Sequence, residues 1–332
     1  MTRGATKYLP LLPVYLIYLV LFLVAEGMPG MWQLMAMLVF YCAVGQAFNI
    51  FLGMTGYVNF GYVAFLALGT YGMALSIYHF HQLPLGVGIV LLGLLLAVVM
   101  AILLALMVGA VALRLGGAYF AIATIGVNEG FRYLIEGTKI WGGSEGIIFS
   151  KQLLDTFGRE VANKLSTFWA DVSVLIIAAL AALITLHFIR GKTGYALMAL
   201  REDEEAAKVM GINVTKYKLI AFVTSAALAG LIGAMAWGLK LTYVFPPEAF
   251  DISYTVEGII IVMLGGAGTL LGPVVGGLLY GLAKYWLTVI LPGFQLLIFA
   301  PIIIVVVVAF PEGIVGMLRQ RLKGTPFEPF VL

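Results

Sequence analysis

The polar and apolar positions of this chain alternate on a long scale, with extended apolar runs separated by short polar joints. Runs at about 8–26, 31–52, 58–79, 84–113, 117–135, 172–189, 217–239, 273–291 and 295–318 have roughly the length a helix needs to cross a hydrocarbon core. A further segment, 254–265, ends at "GGAG" after only a dozen residues and reads as a short crossing or a re-entrant helix. The pattern predicts an all-α polytopic membrane protein, a helical bundle of eight to ten transmembrane helices with broken or re-entrant segments. A membrane β-barrel would show short alternating strands instead.

Composition strengthens that reading. Hydrophobic residues make up 62% of the 332 and mean hydropathy is +1.07, against about 45–50% apolar content in soluble domains. The lipid bilayer is therefore the first partner. Net charge is +3, and the basic residues are scattered over short loops, which excludes the concentrated patch of a nucleic-acid-binding protein. Cys42 is the single cysteine, so no intramolecular disulfide or cysteine metal cluster can form, and it reads as a small packed hydrophobe. Arg3 and Lys7 precede the first run, but "LVAEGMPG" makes a poor cleavage site, so this run reads as a retained helix.

Lys and Arg in short loops mark the cytoplasmic side. Arg190, Lys192, Arg201, Lys208, Lys216 and Lys218 form one group, and Arg3, Lys7, Arg319, Arg321 and Lys323 lie near the ends. Both groups belong inside, with both termini cytoplasmic. The 136–171 connection balances its basic residues with acidic ones, and 240–257 sets Lys240 against Glu248, Asp251 and Glu257, so both belong outside. An even crossing number then favours ten, counting 254–265.

Two glycine-rich breaks resemble each other: "FLGMTGYVNFGYVAFLALGTYG", around Gly53 and Gly56, and "MLGGAGTLLGPVVGGLLYG", around Gly265, Gly266 and Gly268. Broken helices in matching positions are where transporters let backbone line a pathway, whereas glycines four apart, such as Gly268, Gly272 and Gly276, also serve close helix packing. Asn128, Glu129 and Arg132 interrupt an apolar helix, and Glu129 and Arg132 share one helical face and can pair. Charged groups inside a membrane face a partner or water, which makes these three, with Asn59 more weakly, candidates for a translocation path; a structural pair near the outer interface is the plainer reading. Glu257 and Lys284 are further candidates. "RGKTG" lacks the upstream glycine of a phosphate-binding loop, Leu186 standing in its place, and the three histidines form no metal-protease pattern. The residues suggest no cofactor, metal or catalytic set.

The densest charge lies in "REDEEAAKVMGINVTKYK", residues 201–218. Tyr195 to Met210 predicts one cytoplasmic helix, with Gly211 as its left-handed cap, a Glu204–Lys208 pair, and an apolar stripe of Leu197, Leu200, Ala207 and Met210. Its acidic polar face suits a protein partner better than an anionic membrane surface.

Glu205, Ala206, Ala207 and Gly211 match the E-A-A-x-x-x-G core of the EAA loop in permease subunits of bacterial ABC importers. The usual downstream I-x-L-P is missing, with Ala221, Val223 and Thr224 in its place. The stretch "GYALMALREDEEAAKVMGINVTKYKLIAFVTSAALAGLIGAM" resembles LivM-type branched-chain amino acid permeases, as do "GMTGYVNFGYVAFLALGTY", "LRLGGAYFAIATIGVNEGFRYL", "WGGSEGI" and "VMLGGAGTLLGPVVGG", in family order over about residues 35–315. Tyr195 departs from the expected arginine.

This resemblance implies a single permease domain over 1–332, an extracytoplasmic connection at 136–171, and a cytoplasmic coupling loop at 190–218, in a bacterial inner membrane. It implies a LivH-type permease partner or a second copy, two cytosolic ABC ATPase subunits that hydrolyse the ATP, and an extracytoplasmic binding protein, for which the 136–171 loop is the candidate docking surface, an outer helix packed on the bundle being the alternative reading of that loop. Arg201, Glu204, Glu205, Ala206, Ala207 and Gly211 become the expected ATPase-coupling residues. The implied cargo is branched-chain or related amino acids, with urea or short amides as the alternative. From the residues alone, a self-contained carrier and a membrane enzyme using Glu129 and Arg132 stay open.

Overall fold

The computed structural model describes residues 8–28, 30–290, 301 and 312–322. Among them the helices are α1 (Leu11–Gly27), α2 (Trp32–Thr55), α3 (Tyr62–Phe80), α4 (Gly88–Ala112), α5 (Gly117–Glu136), α6 (Ser150–Lys164), α7 (Ala170–Arg190), α8 (Lys192–Glu202), α9 (Glu204–Val209), α10 (Val214–Gly233), α11 (Pro246–Ala249), α12 (Ser253–Gly265), α13 (Gly272–Ile290) and α14 (Gly313–Leu322). Two wider π-helical turns, Leu165–Trp169 and Ala234–Leu239, join α6 to α7 and extend α10.

Six helical segments among the described residues are long and apolar enough to cross a membrane: α2, α3, α4, α6 with α7, α10 with its π turn, and α13. At 17 residues α1 falls just short. The 20-residue α5 is helical as expected, but its polar residues keep it out of the strongly apolar set. Most of the span expected at 295–318, with Arg3, Lys7 and Lys323, lies outside the described residues. The all-helical expectation misses one small feature: β1 (Ile147–Ile148) pairs antiparallel with β2 (Tyr243–Val244), Ile147 opposite Val244. Strands of two residues are too short to leave a periodic signal.

The chain divides into two compact units. The first comprises 1–56, 178–214 and 257–332. Here α2 and α13 pack with their backbones nearly touching. A Cβ added at Gly277 would lie 2.7 Å from the Cys42 nitrogen, and one at Gly281 2.7 Å from a Leu38 methyl. Helices attract little through the hydrophobic effect in lipid, so such small-residue seams supply the van der Waals contact that holds them. One face of α2 carries Cys42, Gln46 and Asn49, at helical spacing and all fully buried.

The second unit comprises 57–177 and 215–256. Its centre is α3, buried on nearly every side, as expected of a helix apolar all round. Backbone approach again sets the packing. A Cβ at Gly69 would lie 2.0 Å from the Gly230 oxygen, one at Gly233 2.0 Å from the Leu66 oxygen, and one at Gly72 2.5 Å from the Ala97 nitrogen. The Thr70 hydroxyl donates to the Gly233 carbonyl at 3.1 Å. A half-buried ion pair, Lys240 to Asp171 at 2.5 Å, ties the end of the π-extended α10 to α7.

Candidate functional site

The chain break after α12, in the first unit, is built from side chains of α2. Residues 266–271 leave the helix, and their freed backbone groups need partners inside a membrane. Asn49 supplies two. Its Oδ1 accepts from the Gly268 nitrogen at 2.8 Å and its Nδ2 donates to the Thr269 carbonyl at 2.9 Å. Gln46 donates to the Leu270 carbonyl at 2.8 Å, and the Cys42 thiol to the Val274 carbonyl at 3.4 Å. Thr269 closes the turn by accepting from the Gly272 nitrogen at 3.0 Å. Cys42 thus does more than fill space. The sequence reading passed over Gln46 and Asn49, although polar side chains at i, i+4 and i+7 of an apolar helix marked one face.

The two glycine breaks meet. A Cβ at Gly53 would lie 2.5 Å from the Gly268 nitrogen, and one at Gly268 would lie 2.8 Å from the Gly53 oxygen. Gly268 has φ +81°, where a side chain is strained. Into this junction reaches Arg201, at the end of α8. Its Nη1 donates to the Gly53 carbonyl at 2.6 Å and to the Ala267 carbonyl at 3.4 Å. One guanidinium therefore holds the C-terminal end of α2 and the turn between α12 and α13. Because the last carbonyls of a helix are unpaired and carry partial negative charge, a cation suits the end of α2.

The charged segment departs from the expected single helix. Asp203 is extended, with φ −154°, and separates α8 from α9. Its carboxylate caps α9, accepting from the Glu205 and Ala206 nitrogens at 2.9 and 3.0 Å. An aspartate mid-segment offers the backbone this local alternative to continuing the helix. The predicted cap at Gly211 is present, with φ +84° and the paired bonds Ile212 N to Ala207 O and Gly211 N to Lys208 O. Lys208 pairs with Glu204 at 3.3 Å, as expected, and also with Glu205 at 2.8 Å. The Glu205 hydrogen bond, ahead of the other contributions, raises the Lys208 pKa.

The expected apolar stripe divides in two. Leu197, Leu200 and Ala207 are buried within the chain, α8 packing against α2, so they are not available to a partner. Met210 is 83% exposed, and its neighbour Val209, which the sequence reading did not select, is 87% exposed. Tyr195, Glu205 and Ala206 are exposed as well. Met210 caps the end of α9, where the helix stops, and lies off the packed stripe.

In the second unit, Asn59 is buried and its Oδ1 accepts from the Gly61 nitrogen at 3.0 Å. Thr124 accepts from the Phe60 nitrogen at 3.1 Å and Thr255 from the Val63 nitrogen at 3.0 Å. This break too has its backbone satisfied by buried side chains. Asn128 is fully buried and donates to the Phe250 carbonyl at 3.0 Å. Glu129 and Arg132 pair at 3.1 Å, as their spacing predicts, and Arg132 also binds Glu136 at 3.1 Å. Lys218 differs from the exposed loop cation expected: it is fully buried, its Nζ 3.8 Å from the centre of the Tyr57 ring. The aromatic face offsets part of its desolvation. In the first unit Lys284 pairs with Glu257. Of the expected path residues, Gly268 stands at Arg201's junction, Gly265 and Gly266 pack against Gly272 and Gly316 elsewhere in the first unit, and Asn59, Asn128, Glu129 and Arg132 belong to the second.

Long apolar helices, interrupted where buried side chains take over the backbone's hydrogen bonds, define a polytopic α-helical membrane protein of the transporter class. More particularly, the chain belongs to the family of branched-chain amino acid transport system permease components, whose profile matches residues 29–307. It is 29% identical over 314 residues to the high-affinity branched-chain amino acid transport system permease protein LivM of Salmonella typhimurium strain LT2, covering 89% of this chain and 72% of that one. Identity to LivM of Escherichia coli strain K12 is 29% over 303 residues, 85% of this chain and 69% of the relative. LivH of the same strain is 23% identical over 284 residues, 83% and 91% of the two chains. No solved structure matches the chain.

Proposed function

We propose that this chain is the membrane-spanning permease subunit of a bacterial ABC importer in the inner membrane, both termini cytoplasmic. It passes branched-chain or related amino acids received from an extracytoplasmic binding protein. In this reading 190–218 is the cytoplasmic coupling segment, 136–171 faces the binding protein, a LivH-type permease completes the membrane part, and two separate ATPase subunits hydrolyse the ATP. The cargo class rests on the names of the LivM and LivH relatives.

The observation that carries the coupling reading is Arg201, which joins the charged segment to the carbonyls of Gly53 and Ala267 at both breaks. The exposed pair Val209 and Met210, with Glu205 and Ala206 beside it, offers an ATPase an apolar knob rimmed by charge. Movement of that knob on ATP binding reaches the two breaks through α8 and Arg201. Coupling requires that the docked segment bind the two states of the pathway unequally. The deciding experiment is uptake into proteoliposomes holding the complete complex with its cognate binding protein, comparing leucine, isoleucine, valine and urea. ATP-dependent uptake of the three amino acids is expected; uptake of urea alone replaces the cargo assignment, and uptake without the ATPases overturns the coupling.

A further inference from the structure

We propose that the outer part of the second unit carries a binding pocket for the ammonium group of an aliphatic amine or amino acid, formed by Trp237, Tyr243, Phe245, Tyr254 and Glu248. The assignment of this part to the outside, and of an amino acid as the cargo, rests on the function proposed above. The pocket has a free volume of about 30 Å³, room for an ammonium group, and is open on one side, where a hydrocarbon tail can extend. Its walls are two aromatic pairs, Trp237 with Tyr254 at 4.5 Å between ring centres and Tyr243 with Phe245 at 5.2 Å. Val244 adds an aliphatic surface, and the exposed Glu248 supplies a carboxylate, which forms no ion pair among the described residues.

Electron-rich ring faces attract a cation, indole most of all, and a nearby carboxylate adds an ionic partner. Apolar walls around such a centre select a ligand with a hydrocarbon body. That combination matches an ammonium group on a short aliphatic chain, whereas urea, which carries no charge, gains neither the ionic nor the cation–π attraction and has no hydrocarbon body for the apolar walls.

Two backbone irregularities converge on the same walls. Trp237 lies in the π turn Ala234–Leu239, a distortion that recurs at functional sites. Thr242, φ 59°, is the one non-glycine residue with positive φ among the described residues. Such strain persists only where the surroundings enforce it. Here the Thr242 nitrogen donates to the Gly238 carbonyl, its own carbonyl accepts from the Phe149 nitrogen, both at 3.0 Å, and the β1–β2 pair follows at once. The strained residue thus forms the bend from the π-extended helix into β2, and Trp237 before it and Tyr243 and Phe245 after it line the same pocket.

The test is calorimetric titration of the purified complete complex, without binding protein, using isopentylamine, 4-methylpentanoate and urea. Isopentylamine is expected to bind and the other two not to. Glu248→Gln should weaken isopentylamine binding at least tenfold, Glu248→Asp less, and Trp237→Leu should also weaken it. ATP hydrolysis and recovery of the intact complex serve as the folding check, and Glu248, being exposed, is expected to pass it. Equal binding of 4-methylpentanoate, or unchanged isopentylamine binding in Glu248→Gln, overturns the pocket. Leucine uptake into proteoliposomes separates the two proposals: uptake without isopentylamine binding sinks the pocket alone, whereas isopentylamine binding with uptake of urea only sinks the cargo reading and leaves an amine site.

Discussion

If the proposed coupling to ATPase subunits holds, replacing Arg201 by alanine uncouples ATP hydrolysis from transport without releasing those subunits. The lost interaction is a charge-assisted hydrogen bond of 2.6 Å to the Gly53 carbonyl, with a weaker one of 3.4 Å to Ala267. Hydrogen bonds to charged groups contribute about 1.5–3 kcal/mol. The residue is exposed, so water can take over part of the role, and about 1 kcal/mol is the fair figure. That is roughly a fivefold change in the balance between the states the link distinguishes. The assay is leucine transported per ATP hydrolysed in proteoliposomes, alongside co-purification of the ATPases. The expected result is a ratio about fivefold lower, with the ATPases retained and Arg201→Lys intermediate, because an ammonium keeps the charge but not the forked geometry. Gly268→Ala should have a similar effect from the other side, since its Cβ would sit 3.0 Å from Arg201 Nη1 and 2.8 Å from the Gly53 oxygen. The two substitutions should therefore not add. An unchanged ratio in Arg201→Ala, or strict additivity with Gly268→Ala, refutes the idea that Arg201 transmits the motion.

Val209→Asp together with Met210→Asp places charge on an apolar knob that is 87% and 83% exposed, and should release the ATPases while the permease still inserts; retention in a pull-down counts against that docking surface. Asp203→Ala removes the cap of α9 and should cost about 1 kcal/mol locally, seen as faster amide exchange at Glu205 and Ala206, with protection elsewhere unchanged. Asn49→Leu strips partners from the buried Gly268 nitrogen and Thr269 carbonyl; it should destabilise the protein by about 2–4 kcal/mol, measured as a lower unfolding midpoint in detergent, and a wild-type midpoint would mean the break finds other partners. Gly69→Ala drives a Cβ to 2.0 Å from the Gly230 oxygen and should reduce the yield of folded protein, whereas Gly126→Ala, where a Cβ meets nothing within 4 Å in the chain, should not.

The sequence by itself determined the class of this protein and most of its helices. Apolar runs of membrane-crossing length leave helices as the way to satisfy their backbone, so α2, α3, α4, α10 and α13 fall where the pattern puts them. The Glu129–Arg132 pair, the Glu204–Lys208 pair and the Gly211 cap were also legible, because each depends on local helical spacing. Features set by competition or by distant partners were not. Asp203 divides the charged segment because its carboxylate captures two backbone donors, and the short α9 that results ends at Met210, which is exposed, while Ala207 stays inside. Lys218 counted as a loop cation until the fold laid it against Tyr57. Asn49, Gly53, Arg201 and Gly268 are scattered over more than two hundred positions, and no periodicity connects them. Only tertiary packing brings them together, because unpaired carbonyls and amides at two helix breaks share the side chains that satisfy them.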